Sequence, residues 1–109
     1  MLKRTVYCGE LRAAHEGQEV VLCGWVHKSR DMGHLVFVDL RDREGLAQIV
    51  FQSDRPELAE EAKKLRNEFV VGVRGLVRRR LAANKDIPTG EVEVKARVVW
   101  SRPSGTGHD

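Results

Sequence analysis

From Leu35 to Asp42 the chain reads Leu-Val-Phe-Val-Asp-Leu-Arg-Asp. Two-residue alternation places Val36, Val38 and Leu40 on one apolar face and Leu35, Phe37, Asp39 and Arg41 on the other. A large ring beside a carboxylate and a guanidinium is not ordinary core packing; it points to a flat surface on which something planar can stack. The plainer reading is that a loop or a second domain covers Phe37. Residues 18–29 predict a preceding strand rich in Val, Leu and Trp, broken at Arg30-Asp31-Met32-Gly33. A hairpin across that break sets Lys28 opposite Leu35 and Val26 opposite Phe37. Lys28 and Arg30 then share the outer face with the ring, while Val21, Cys23 and Trp25 join the core. Asp42-Arg43-Glu44-Gly45 reads as a second turn, into a third strand over residues 46–52. Pairing across it puts Asp39 opposite Gln48, so Gln48 lies diagonal to Phe37 on the same face. Ala47, Ile49 and Phe51 point inward. A slip of one residue would reverse each assignment, but three strands agree on which face is polar.

The remaining pattern completes a barrel. Residues 9–17 predict a helical turn or short helix ending at Gly17. Residues 56–66 predict a helix with Asp54 as its cap, Pro56 in its first turn and acid preceding base. Its apolar stripe is Leu58, Ala62 and Leu65. Strand four, residues 68–80, turns Val71, Val73 and Val77 inward and Arg74, Arg78 and Arg80 outward, with Gly72 and Gly75 as points of bending or close approach. After a connection over residues 81–89, strand five covers residues 90–100, with Val92, Val94, Ala96 and Val98 inward and Glu91, Glu93, Lys95 and Arg97 outward. Five strands with one helix between the third and fourth are the element order of an OB-fold: an all-β Greek-key barrel that binds oligonucleotides across strands two and three. Residues 1–100 form this domain, and residues 101–109 are expected to be a flexible tail.

Composition adds limits. The chain has 109 residues, enough for one domain. Its net charge is only +3, from 19 basic and 16 acidic residues. Their distribution is more telling: acids gather over residues 54–68, and basic residues at Lys3-Arg4, Lys28-Arg30 and Arg78-Arg79-Arg80. Such separation gives a small domain a polyanion-binding side without a very basic whole. Cys8 and Cys23 form no Cys-x-x-Cys pair, and His15, His27, His34 and His108 lack metal-ligand spacing, so no metal site is expected. Residues 1–9 are too short and polar for a signal peptide, and no apolar run reaches membrane-spanning length, so a reducing cytoplasm is expected.

The outer face carries the chemistry an unpaired base requires. Phe37 stacks on a base; Gln48 offers both a donor and an acceptor to a base edge; Arg30 reads an edge or bridges to phosphate. Glu93 accepts but cannot donate, which suits the donor edge of guanine and repels phosphate. Arg78 and Arg80 suit phosphates. Each has a bland counterpart: a solvated Gln48, a Glu93 paired with Lys95, Arg97 or Arg78, and an Asp39–Arg41 ion pair.

The run from Gly24 to Gln48 closely resembles the N-terminal anticodon-binding domain of bacterial aspartyl-tRNA synthetases, class II enzymes. Tyr7-Cys8-Gly9 with Leu11-Arg12, then Leu65-Arg66-Asn67-Glu68-Phe69 and Thr89-Gly90-Glu91-Val92-Glu93-Val94, extend the resemblance over residues 5–96. It implies that the ligand is the anticodon loop of the aspartate tRNA. Phe37 matches the aromatic that stacks on an anticodon base, Gln48 and Arg30 the base-contacting residues, and Glu93 a glutamate near the first anticodon base. Arg78 and Lys28 match basic positions near the stem and loop, with Lys28 standing where an Arg is common. The resemblance also implies a homodimeric parent enzyme whose catalytic domain holds ATP and Mg²⁺. That domain has no counterpart in these residues, so the chain is expected not to aminoacylate, to need no cofactor, and to be an excised, truncated or stand-alone domain. Two other readings stay open: a general single-strand-binding OB domain and a protein-binding scaffold on the same barrel.

Overall fold

A computed structural model describes residues 4–33, 35–52, 54, 56–67, 69–81 and 83–102. Short 3₁₀ turns at Cys8–Glu10 and Ala13–His15 lead into β1 (Glu19–Asp31), β2 (Leu35–Asp42) and β3 (Gly45–Gln52). Helix α1 (Pro56–Lys63) follows, then β4 (Val70–Arg79) and β5 (Val92–Arg102). The strands close into a barrel in the order β1-β2-β3-β5-β4, with β4 pairing back onto β1. Every pairing is antiparallel except β3 with β5, where Ile49 meets Val94 and Val50 meets Lys95. This is the five-stranded OB barrel, with its helix between β3 and β4, that the element order predicts.

The inward faces of β2, β3 and β4 are those the alternation assigns. Val36, Val38 and Leu40, Ala47, Ile49 and Phe51, and Val71, Val73 and Val77 are all buried. Helix α1 packs on β2, β3 and β5, burying Leu58 and Ala62. It ends earlier than predicted because its last turn tightens: Lys64 N–H donates to Glu61 O and Leu65 N–H to Ala62 O, both 3.1 Å, three residues back rather than four. Leu65 is still buried just past the helix end. Asp54, just past the end of β3, pairs with Lys95 on the neighbouring β5, 2.7 Å away.

Two bulges account for the strand faces that alternation misassigns. In β1, Val26 pairs with Leu40 but Lys28 pairs with Asp39, leaving His27 as an extra residue. An inserted residue reverses inside and outside. Val20, Leu22 and Val26 therefore form the core face, Val21 and Cys23 are only half-buried, and Trp25 is exposed. In β5, Arg74 pairs with Val98 while Gly75 pairs with Ala96, so Arg97 is the extra residue, and Val99 rather than Val98 packs against the core. Gly75 allows this close approach, since a Cβ there would lie 2.3 Å from Lys95 O. β5 also runs past residue 100, pairing Ser101 with Val71 and Arg102 with Val70. The rest of the expected tail lies outside the described residues.

The Tyr7-Cys8-Gly9 segment is tied to the β2–β3 turn. Buried Asp42 accepts the backbone N–H of Cys8 at 2.6 Å and of Glu44 at 2.9 Å. Gly9 lies so near the Glu44 carbonyl that a Cβ would sit 1.9 Å from its oxygen. No disulfide joins Cys8 and Cys23. Burial, then the Asp42 carboxylate, pushes the Cys8 thiol far above the usual range, which leaves it inert.

Candidate nucleic-acid interface

The β1–β2 hairpin differs from its predicted register by four residues. β1 continues through Arg30 and Asp31, and the chain reverses at Met32 and Gly33, where Gly33 takes φ 83° and its N–H donates to Asp31 Oδ1. Arg30 thereby faces Phe37, and Lys28 faces Asp39. The shift is even, so Lys28, Arg30 and Phe37 keep the outer face. The Arg30 guanidinium carbon lies 5.1 Å from the Phe37 ring centroid, within cation–π range.

Beside this pair opens a groove of about 680 Å³. Six of the seven residues singled out from the sequence line it: Arg30, Phe37, Gln48, Arg78, Arg80 and Glu93. Lys28 is the exception, exposed on β1 beyond the lining residues. Leu35, Val50, Gln52, Arg79, Leu81 and Asn84 complete the wall. Gln52 was legible in the alternation, because Gln48, Val50 and Gln52 share one face of β3. Leu81 and Asn84 come from the β4–β5 connection. Leu81 is fully exposed, and the Asn84 side-chain oxygen accepts the Asp86 N–H at 3.0 Å.

A single hydrogen-bonded chain crosses the floor. Arg30 Nη2 donates to Gln48 Oε1 at 3.4 Å, and Gln48 Nε2 donates to Glu93 Oε1 at 2.8 Å. Glu93 Oε2 accepts from Arg78 Nε at 2.8 Å, and Arg78 Nη1 donates to Gln52 Oε1. Glu93 thus pairs with Arg78, one of the partners foreseen, and both Glu93 and Gln48 are buried rather than solvated. Barrel closure explains this: Arg78 and Glu93 are cross-strand partners on β4 and β5, and β5 lies against β3. Asp39 and Gln48 are opposed as predicted.

The three consecutive arginines point to different partners. Arg78 is held by Glu93 and Gln52; Arg79 pairs with Glu16 at 3.0 Å; Arg80 Nε donates to Val92 O at 3.2 Å. Burial draws the Arg80 guanidinium below its usual pKa, while Asp39 and Glu93 favour its charge and Arg30 opposes it. A guanidinium remains charged under any such shift. The groove therefore offers an aromatic face, fixed amides and cations whose Nη groups retain hydrogen-bond donors. Among the described residues no cluster of His, Cys, Asp or Glu is placed to hold a metal, and no helix is long and apolar enough to cross a membrane.

A second groove, about 380 Å³, lies at the other end of the β1–β2 pair. Tyr7 stands there between Arg4 and Arg43, whose guanidinium carbons are 4.3 and 4.5 Å from its ring centroid, with Trp25 alongside.

The family model for tRNA anticodon domains, described as an OB-fold nucleic acid binding domain, matches residues 20–100. The chain belongs to this anticodon-domain family. Among relatives of the domain, the aspartate–tRNA(Asp/Asn) ligase of Endomicrobium trichonymphae is 50% identical over 97 residues, or 87% of this chain. The chain spans only 17% of that ligase's length. The asparaginyl-tRNA synthetase of Pyrococcus horikoshii superposes with a TM-score of 0.78 at 32% identity, covering 94% of this chain and 24% of the synthetase. An OBody, AM3L09, bound to hen egg-white lysozyme, superposes with a TM-score of 0.82 at 27% identity, covering 94% of this chain and 98% of its own.

Proposed function

We propose that this domain binds the anticodon loop of the aspartate tRNA on behalf of an aspartyl-tRNA synthetase. The observation that carries the reading is the groove floor, where Phe37 lies beside Gln48, Glu93 and Arg30 in one connected network. Unpaired RNA bases are recognised by stacking combined with hydrogen bonds to their edges. Phe37 supplies the stack. Gln48 and Arg30 read base edges. Glu93 has spent one lone pair of each oxygen on Gln48 and Arg78, and its remaining lone pairs can accept from the donor edge of guanine. Arg78, Arg80 and Lys28 supply positive charge toward phosphates. In this reading aminoacylation and its ATP belong to a catalytic part outside the matched stretch, and anticodon contacts help position the tRNA from a distance.

The test is binding to a stem-loop carrying the aspartate anticodon, against one with a scrambled anticodon, for the wild type and Phe37→Ala. The relative's name covers asparagine tRNA as well, so a stem-loop with that anticodon is the third probe. Wild type should prefer the aspartate loop over the scrambled one. Phe37→Ala should lose about 1–3 kcal/mol, the usual worth of one base–aromatic stack. Equal binding to cognate and scrambled loops, with a steep salt dependence, would favour a general single-strand binder. The OBody bound to lysozyme favours a protein-binding role on this barrel, which failure to bind any RNA would support.

A further inference from the structure

The two glutamines on the groove floor present opposite chemistry, because their amides are oriented by charged partners. A carboxylate only accepts, so Gln48 must turn its Nε2 toward Glu93, leaving its Oε1 facing Arg30. A guanidinium only donates, so Gln52 must turn its Oε1 toward Arg78. The Gln52 Nε2, with two hydrogens, is left as the end available to a ligand. Gln52 lies opposite Leu35 on β2, and Val50 lies opposite Phe37. All four line the groove. Along β3, Gln48 and Gln52 are four residues apart, about 13 Å. That is too far for a single base to reach both.

We propose that Gln52 is a specificity-determining residue at a second nucleotide position in the groove, beyond Phe37, where its amide N–H groups select an unpaired pyrimidine that presents a carbonyl oxygen rather than an amino group at C4. Leu35 gives the apolar support for that base. Arg78 serves as the positioning residue, holding the amide with its donor end outward. The inference rests on the anticodon-loop reading and deepens it: one position is read beside Gln48, a further one beside Gln52.

Uracil and cytosine differ by a carbonyl against an amino group at C4, and by an N–H against a bare nitrogen at N3. A donor held at the C4 substituent therefore separates them, which makes them the natural probes. The experiment uses the whole chain and a panel of stem-loops in which each loop nucleotide in turn is uracil or cytosine. Binding is measured for wild type, Gln52→Glu, Gln52→Met and Phe37→Ala. Wild type should prefer uracil at one loop position by about tenfold, the scale of one well-made base-edge contact. Gln52→Glu, which keeps the Arg78 contact but can only accept, should reverse that preference toward cytosine. Gln52→Met should abolish it. The ratio cancels any uniform repulsion that the added carboxylate exerts on phosphates. Unchanged uracil-to-cytosine ratios in both Gln52 variants, with Phe37-dependent binding intact, would overturn the assignment and leave the anticodon reading standing. No stem-loop binding by wild type, or no loss in Phe37→Ala, would overturn the anticodon reading and this assignment with it.

Discussion

Arg30 stands directly across the β1–β2 pair from Phe37, with its guanidinium carbon 5.1 Å from the ring centroid. The ring is thus flanked by a planar cation that also reaches Gln48 at 3.4 Å. A base that stacks on Phe37 meets a guanidinium able to stack on it or to bond its edge.

Lysine retains the charge at this position but not the planar fork. Arg30→Lys should weaken binding of the aspartate stem-loop by about 1 kcal/mol, roughly fivefold, on the scale of one hydrogen bond. Its salt dependence should be unchanged, because the charge count is unchanged. Titrations at several salt concentrations separate the two effects.

Glu93 joins the two halves of the floor, so neutralising it should act on both stability and reading. Its side chain is 10% exposed and accepts from Gln48 and Arg78. Glu93→Gln should destabilise the fold by roughly 1–3 kcal/mol, the range for a charged hydrogen bond lost at a buried site. Discrimination between cognate and scrambled loops should also narrow, because the Gln48 amide loses the partner that orients it. Urea unfolding checks the first effect and stem-loop titration the second.

Gly9 and Gly17 should respond differently to alanine. At Gly9 a Cβ would meet the Glu44 carbonyl oxygen at 1.9 Å, so the β2–β3 turn must move. At Gly17, with φ 87°, nothing lies within 4 Å, and only the left-handed backbone is penalised, by about 1 kcal/mol. Gly9→Ala should therefore cost clearly more than Gly17→Ala when both are compared by urea midpoint.

The sequence made the barrel legible because β2, β3 and β4 alternate cleanly, and because a four-residue register error in the hairpin leaves Lys28, Arg30 and Phe37 together on the outer face. It did not place the bulges at His27 and Arg97, which reverse the faces of Trp25 and Val99; only Gly75, across from the second, marked a close approach. Tyr7-Cys8-Gly9 was visible as a motif, but its reason, the contact with Asp42 and Glu44, depends on a turn more than thirty residues away. The groove residues were largely legible for a similar reason: outward residues of β2 and β3 are set by period. Gln52 sat on that same face and was passed over. Of the network from Arg30 to Gln52 only the Glu93–Arg78 pair was among the pairings foreseen; the links through Gln48 and Gln52 require β5 to close between β3 and β4. The order in which strands close a barrel is not written in any one of them.

The most direct measurement of the central claim is amide chemical-shift mapping of the labelled chain against the stem-loop bearing the aspartate anticodon. The account predicts shifts concentrated at Arg30, Phe37, Gln48, Gln52, Arg78 and Glu93, with Tyr7, Trp25 and Arg43 at the other groove undisturbed. Shifts centred on Tyr7 and Trp25, with the Phe37 groove silent, would contradict it.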